Sequence, residues 1–239
     1  MAMTRDELLK LYDGLRVTDV CDGMDSVGLQ DVGCVDSNIK ALWKDFENFD
    51  HRIYGFAKTV RYMPTNRPRL QIKECKDEHN EDVGYWYNTY ASDRDWVDTI
   101  QKGDIIVFDG SGITNTGFIG SENGYSWVNA GASGMITNAG CRDTDEIAKQ
   151  RLPVYSAYIS RGRRPSRLEF VDCNVTVEIG GVMVRPGDLI VADGDGVIVV
   201  PIEVAEEVGK FAKSVQDGDK IARRKHYEAS GAEPDFTVM

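Results

Sequence analysis

The sequence predicts an α/β fold, a sheet of buried strands with helices laid against it. Three observations predict it. From Ile105 to Ser160 the pattern reads strand, glycine turn, helix, strand, loop, helix, strand. The phrase KGDIIVFDG at Lys102–Gly110 returns as PGDLIVADG at Pro186–Gly194, each a Gly-Asp turn feeding an apolar run that ends in Asp-Gly. The echo is too short for a repeat array and points to two similar buried strands in one sheet system. Finally, 41% hydrophobic and 28% charged residues are an ordinary globular balance. At this length folding buries roughly 70–75% of the extended chain's surface. No shift in composition divides the chain, so residues 1–239 are read as one domain.

In order, Thr4 and Glu7 are spaced as a capping box ahead of Leu8, Leu9, Leu11, Tyr12 and Leu15, and Gly14 ends that helix. Thr18 or Asp19 is placed to cap a second short helix carrying Val20, Cys21 and Met24. Alternation around Ile53, Phe56, Ala57 and Val60 predicts a strand that Pro64 stops. An insertion over about 63–95 is polar but too rich in Tyr85, Trp86, Tyr87 and Tyr90 to be a disordered linker. It is either a helical or irregular segment whose rings pack on the body or another subunit, or a lid over a cleft. Ile105–Phe108 is a strand. After Gly120, Tyr125, Val128 and Ala132 fall at helical spacing. Gly131 and Gly134 end that helix, and Met135–Thr137 make a brief strand. A helix EIAKQR follows, then strands at Val154–Ser160, Leu189–Ala192 and Val197–Val200, the last closed by Pro201. The segment 202–230 is helical, with Val204, Val208, Phe211, Ala212 and Val215 on one apolar face.

Charge and motifs remove several function classes. Against 28 Lys and Arg stand 39 Asp and Glu, a formal charge of −11, whose field repels nucleic acid and anionic membranes. An anionic substrate must be drawn in by local positive charge. Five scattered cysteines with no C-x-x-C pairing fit reduced thiols. No apolar stretch approaches the ~20 residues of a membrane span, and MAMTRDELLK lacks a signal-peptide core, so a cytoplasmic location is expected. Neither a phosphate-loop nor a dinucleotide fingerprint is present. His51, His79 and His226 are isolated and match no zinc spacing or triad.

The chemistry concentrates in NAGCRDTDE, Asn138–Glu146, at a predicted strand's carboxyl end, where open α/β folds bind ligands. Asp143 beside Arg142 is suited to hold a hard divalent cation while the guanidinium holds a substrate carboxylate, and magnesium tolerates so few protein ligands. Asp143 and Glu146 are equally spaced as a capping box. In GITNTGFIGSEN, the backbone amides around Ser121, Glu122 and Asn123 at a helix start can receive an anionic oxygen. RGRRPSR clusters Arg161, Arg163, Arg164 and Arg167, either a solvated or subunit-contact face or a trap for a second carboxylate or phosphate. Cys141 adjoins the site as a small buried side chain or a reactive thiol.

Together these segments resemble the RraA-like family, which includes class II pyruvate aldolases acting on 4-hydroxy-4-methyl-2-oxoglutarate and 4-carboxy-4-hydroxy-2-oxoadipate. The motifs that carry the resemblance are the glycine turn at Gly120, the R-D-x-x-E element of Arg142, Asp143 and Glu146, and GGVMVRPGDLIVADGDGVIVVP. VTDVCDGMDSVG agrees more weakly. The resemblance implies a swivelling β/β/α domain in homotrimers or homohexamers, and a magnesium or manganese ion on Asp143. It implies pyruvyl binding and enolate stabilisation by Arg142, a carboxylate cradle at Gly120, Ser121, Glu122 and Asn123, and a water positioned by Glu146. The expected function is a metal-dependent lyase cleaving or decarboxylating a 2-oxo acid. The alternatives are a protein-binding regulator of the ribonuclease E inhibitor type, or a metal-dependent sugar-acid lyase or isomerase. The family pattern has an acidic residue directly after the glycine, where this chain has Ser121, with Glu122 one place later. With the aromatic insertion and the arginine cluster, this departure implies a larger or more anionic oxo-acid substrate.

Overall fold

The computed structural model describes residues 3–71, 73–92 and 94–239, and the side chains of all of these except 94 and 95. Helix α1 (Arg5–Tyr12) starts with the expected box: Glu7 N–H donates to Thr4 Oγ1 and Thr4 N–H to Glu7 Oε2. Helix α2 (Val17–Ser26) starts two residues earlier than the sequence suggested. Neither Thr18 nor Asp19 is its cap residue. Arg16 holds that position, its N–H donating to Asp19 Oδ2, and the first-turn amide of Val17 donates to Asp193 Oδ2, 2.9 Å away.

The remaining elements run β1 (Lys40–Ala41), β2 (Ile53–Pro64), α3 (Lys76–Tyr90), α4 (Arg94–Val97), β3 (Asp104–Asp109), β4 (Gly117–Ile119), α5 (Ser121–Asn129), β5 (Ala132–Cys141), α6 (Thr144–Lys149), β6 (Val154–Ile159), β7 (Leu168–Cys173), β8 (Val177–Ile179), β9 (Val182–Val184), β10 (Leu189–Asp193), β11 (Gly196–Val200) and α7 (Ala205–Ser230), with a 3-10 turn at Ile202–Val204 before the last. One sheet has the order β1-β6-β5-β3-β2-β10-β11, with β4 on β5 and β7 on β2. Its edges β1 and β11 come back into contact, nearly closing a barrel. The two echoed strands, β3 and β10, lie on either side of β2, one parallel and one antiparallel to it.

Period-two alternation sorts the strand residues. Ile105, Val107, Ile136, Tyr155, Ile190 and Val199 share one face, closed by the β8–β9 hairpin through Val177, Ile179 and Val184. On the other face, Val191, Ile198 and Val200 pack under α1, α2 and α7. Val60, Ile106, Phe108 and Met135 pack under the insertion and α5. Trp86 is buried there, so the insertion packs on the body, and Trp96, just after it, lies against Phe108 and Trp127.

Helix α6 starts two residues before the expected EIAKQR, and three further elements differ from expectation where small residues or outward-facing rings change the pattern. Strand β5 is ten residues long rather than three. A Cβ on Gly134 would meet the Ile53 side chain at 2.7 Å and one on Gly140 the Thr116 carbonyl at 2.7 Å, so these glycines admit neighbours within the strand and do not end it. Helix α5 buries Gly124 and Trp127 and leaves Tyr125 exposed, and Ala132 belongs to β5. Helix α7 buries Val208, Gly209, Ala212 and Gln216, while Phe211 faces outward, because Gly209 lets Leu11 and Tyr12 lie against its backbone.

Candidate active site

Strands β4 and β5 are parallel neighbours, so their carboxyl ends open at the same side of the sheet. After β5 come Arg142 and Asp143, and after β4 come Gly120 and α5. The Arg142 amide donates to Ile119 O at 2.8 Å, locking the two exits together. Asp143 then turns left-handed (φ 56°, ψ 43°), a region short polar side chains tolerate better than most. Its backbone carbonyl accepts from Ile147 and starts α6, but its carboxylate makes no capping bond there. Asp143 is thus the cap residue of α6 without the expected capping box. The carboxylate instead reaches across: Oδ2 accepts from Ser121 N–H at 3.2 Å and Oδ1 from Arg142 Nε at 3.2 Å. It supplies the cap that α5 cannot make for itself, because the residue in that position, Gly120, has no side chain.

Two glycines make this contact possible. A Cβ on Gly120 would stand 2.8 Å from Asp143 Oδ2, and one on Gly117 would stand 2.6 Å from both Arg142 Cβ and Ser160 O. The result is a cleft of about 420 Å³ onto which Gly120, Glu122, Asn123, Arg142 and Asp143 converge. Arg142 and Asp143 are each about one-third exposed there, at 34% and 33%. Ser121 is spent differently, its amide on Asp143 and its side chain outside the lining. Glu146 is exposed on α6 and does not line the cleft. Beside Asp143, the carboxylate that does is Glu122, one place after the position where the family pattern puts its acid.

Sequence reasoning left Tyr87, Phe118, Arg163 and Arg164 out of the site, and all four line it. The signals for Tyr87, Arg163 and Arg164 were the aromatic insertion and RGRRPSR, while Phe118 sits in β4, just ahead of Gly120. Arg164 is 4% exposed, its guanidinium carbon 5.1 Å from the ring centroids of Tyr87 and Phe118, with Nη1 donating to Tyr62 Oη at 3.3 Å. In the orientation that satisfies both its neighbours, the Asn123 amide donates to Glu122 Oε2 (2.7 Å) and accepts from Arg164 Nη2 (3.1 Å). Asn123 therefore ties Glu122 to a buried cation. The Glu122 and Asn123 backbone amides, in the first turn of α5, have no acceptor among the described residues. Burial raises the pKa of the Cys141 thiol, opposed in part by a hydrogen bond with Ser156, which fits a small core side chain rather than a thiolate.

Among the described residues no three His, Cys, Asp or Glu side chains cluster as a metal cage. A closed, all-protein site is therefore not what these donors make. Each Asp143 oxygen accepts one hydrogen bond, and a carboxylate has roughly four lone-pair sites, so acceptor capacity remains toward the cleft. That donor set fits a hard cation held mostly by water and substrate oxygens.

An RraA-like family model, described as Aldolase/RraA, matches residues 17–199. The chain belongs to the RraA-like family. Among curated relatives of this RraA-like chain is a Deinococcus radiodurans protein named "Putative 4-hydroxy-4-methyl-2-oxoglutarate aldolase", 36% identical over 110 residues, which are 46% of this chain and 68% of the relative. Legionella pneumophila protein DlpA is 24% identical over 205 residues, 86% of this chain and 29% of that one. Two solved structures share the fold at 22% identity. Streptomyces coelicolor RraAS2, an unusual member of the RNase ES inhibitor RraA protein family, superposes with a TM-score of 0.73 over 92% of this chain and 98% of its own. An uncharacterized Pseudomonas syringae protein does so at 0.72 over 100% of both. The RraA-like fold expected from the motifs is thereby the fold observed. No helix among the described residues is long and apolar enough to cross a membrane.

Proposed function

We propose that this RraA-like chain is a divalent-metal-dependent carbon–carbon lyase that releases pyruvate, or its enolate, from a 2-oxo acid. The observation that carries the reading is the convergence on one cleft of Arg142, Asp143 and the Glu122 and Asn123 amides, which have no acceptor among the described residues. The names of curated relatives support it at the level of the family.

The substrate's carboxylate is received by the Glu122 and Asn123 amides at the positive end of α5. Arg142, held by Asp143 and by its backbone bond to Ile119, lies against the 2-oxo oxygen. Asp143 would hold a magnesium or manganese ion, which when bound would supply Lewis-acid chemistry at the 2-oxo group. As the C–C bond breaks, its electron pair passes into the enolate of the pyruvyl fragment. In aldol cleavage the proton of the 4-hydroxyl passes to the water positioned by Glu122 as its oxygen becomes a carbonyl; in decarboxylation the departing fragment is carbon dioxide. Arg142 stabilises negative charge where it develops. Glu122, held by Asn123, takes the water-positioning role that the resemblance gave to Glu146, and a proton is returned to the enolate carbon.

The test incubates purified protein and magnesium with hydroxy-oxo-dicarboxylates and oxaloacetate, following pyruvate. Turnover is expected, abolished by chelation and in Asp143→Ala, and reduced by about 10²–10³ in Arg142→Gln, the usual cost of losing one charge-stabilising donor. Absence of metal-dependent turnover across the panel overturns the reading. Turnover confined to aldonic or uronic acids would make the chain a sugar-acid enzyme.

A further inference from the structure

A second cleft, of about 720 Å³, adjoins the first and shares Arg163 with it. Arg69, Arg161, Arg163 and Arg167 line it together with His79 and Ser166, and no acidic residue does among the described residues. Six arginines elsewhere, Arg5, Arg16, Arg61, Arg67, Arg151 and Arg185, have carboxylate partners. None of the four in this cleft has an ion-pair partner among the described residues. Four like charges gathered in a chain of net charge −11 repel one another, and an anion is what repays that cost.

The cleft is also built. Leu70 N–H donates to Ser166 Oγ at 2.9 Å, fastening the insertion to the arginine loop. Arg167 Nη1 donates to Arg163 O at 3.0 Å across that loop. The loop is seated on the active-site strand, where Gly117 N–H donates to Gly162 O at 2.9 Å, and a Cβ on Gly162 would strike Asn115 O at 2.4 Å. Arg163 Nη2 lies 3.3 Å from His79 Nε2. A guanidinium only donates, so this imidazole nitrogen is the acceptor.

We infer that this arginine cleft is an anion subsite that takes a dianionic terminus, a phosphate or paired carboxylates, of the substrate whose pyruvyl end occupies the Arg142 cleft. Guanidinium forks match both groups in bidentate geometry. The assignment to substrate rests on the function proposed above. Anion capture itself does not.

Calorimetry separates the two. Inorganic phosphate and tricarballylate are titrated into the full chain alone and with magnesium and saturating oxalate, a probe of the Arg142 cleft. At least one anion is expected to bind with oxalate present, and the tighter of the two names the terminus. Arg69 and Arg161 are exposed, and no side-chain bond of theirs supports the fold among the described residues. The R69Q/R161Q variant should therefore weaken binding at least about tenfold and keep the wild-type circular dichroism, while R142Q changes it less than twofold. Binding of neither anion, displacement by oxalate, or wild-type affinity in R69Q/R161Q overturns the subsite. Phosphate or tricarballylate binding without any oxalate binding would remove the proposed active site and leave this one standing. On turnover, R69Q/R161Q should lose at least tenfold of the kcat/KM preference for substrates bearing the extra anionic group, and an unchanged preference overturns the assignment to substrate.

Discussion

The carboxylate of Asp143 lies 3.2 Å from the amide nitrogen of Ser121, so one loop supplies the helix cap that another loop lacks. At the buried end of β10, Asp193 does the same for Val17 at 2.9 Å. Asp143 is the one of the pair that faces a cleft, and its two duties can be separated. Asp143→Asn keeps an oxygen for the Ser121 amide and loses the charge. It should unfold within a few tenths of a kcal/mol of wild type, whereas Asp143→Ala should lose about 1 kcal/mol, the usual worth of a cap. Both should lose magnesium-dependent pyruvate release. Urea unfolding beside the turnover assay checks the split, and equal stability of the two variants would show that the cap carries no weight.

Gly120 has φ −117°, open to any residue, so a substitution there acts through space alone. In Gly120→Ala the new methyl would stand 2.8 Å from Asp143 Oδ2 and push the carboxylate aside. The expected result is at least about tenfold lower kcat/KM with a melting temperature close to wild type, since a misplacement of about 1 Å can cost 10²-fold. Wild-type turnover in this variant would mean that Asp143 does not need its observed position.

The thiols should react in a fixed order. Cys75 is exposed at the start of α3, where the Glu78 and Asp77 amides hold its pKa below the ordinary thiol value. Cys141 is buried, and its pKa is raised. With limiting iodoacetamide at pH 7.5, peptide mapping should find Cys75 labelled first and Cys141 labelled only after unfolding. Early modification of Cys141 would reopen it as a site nucleophile.

His51 gives the fold a pH dependence. It is 3% exposed, and its Nδ1 accepts the Asp45 amide at 3.1 Å. Burial, then Arg52 and Lys44, lower its pKa from the usual 6.5. The unfolded chain therefore takes up this proton first. The stability His51 contributes is whole above pH about 6.5 and is lost as pH falls through the depressed folded value. Melting temperature should drop between pH 7 and pH 5, and less steeply in His51→Asn. Equal slopes would assign the acid sensitivity to other groups.

The sequence showed the strands and the site loops well, because a buried strand is written in its own apolar run and a helix start in its own turn residues. Ile105–Phe108, Leu189–Ala192 and the Thr4–Glu7 box needed no knowledge of their neighbours. What it hid were relationships between segments. Gly134 read as a helix end because Ile53, which presses on it, is remote in sequence, and Thr116, which presses on Gly140 later in the same strand, is equally hidden. Asp143 and Glu146 matched a capping box, yet the Asp143 carboxylate is used by a helix that begins twenty-two residues earlier in the chain. Arg163 and Arg164 were visible as a cluster, but their place beside Arg142 depends on parallel pairing of β5 with β6, which no local pattern encodes.

Strands β2 and β3 are parallel neighbours, so the chain leaving Pro64 has to travel back along the sheet before it can re-enter at Asp104. That return path is obligatory, but its length is free, and the aromatic insertion with Arg69 and His79 is what occupies it. One wall of the arginine cleft thus belongs to a segment with fixed endpoints and an exchangeable interior. Swapping that interior among chains that share the sheet offers a route to a new choice of substrate without disturbing Arg142 and Asp143.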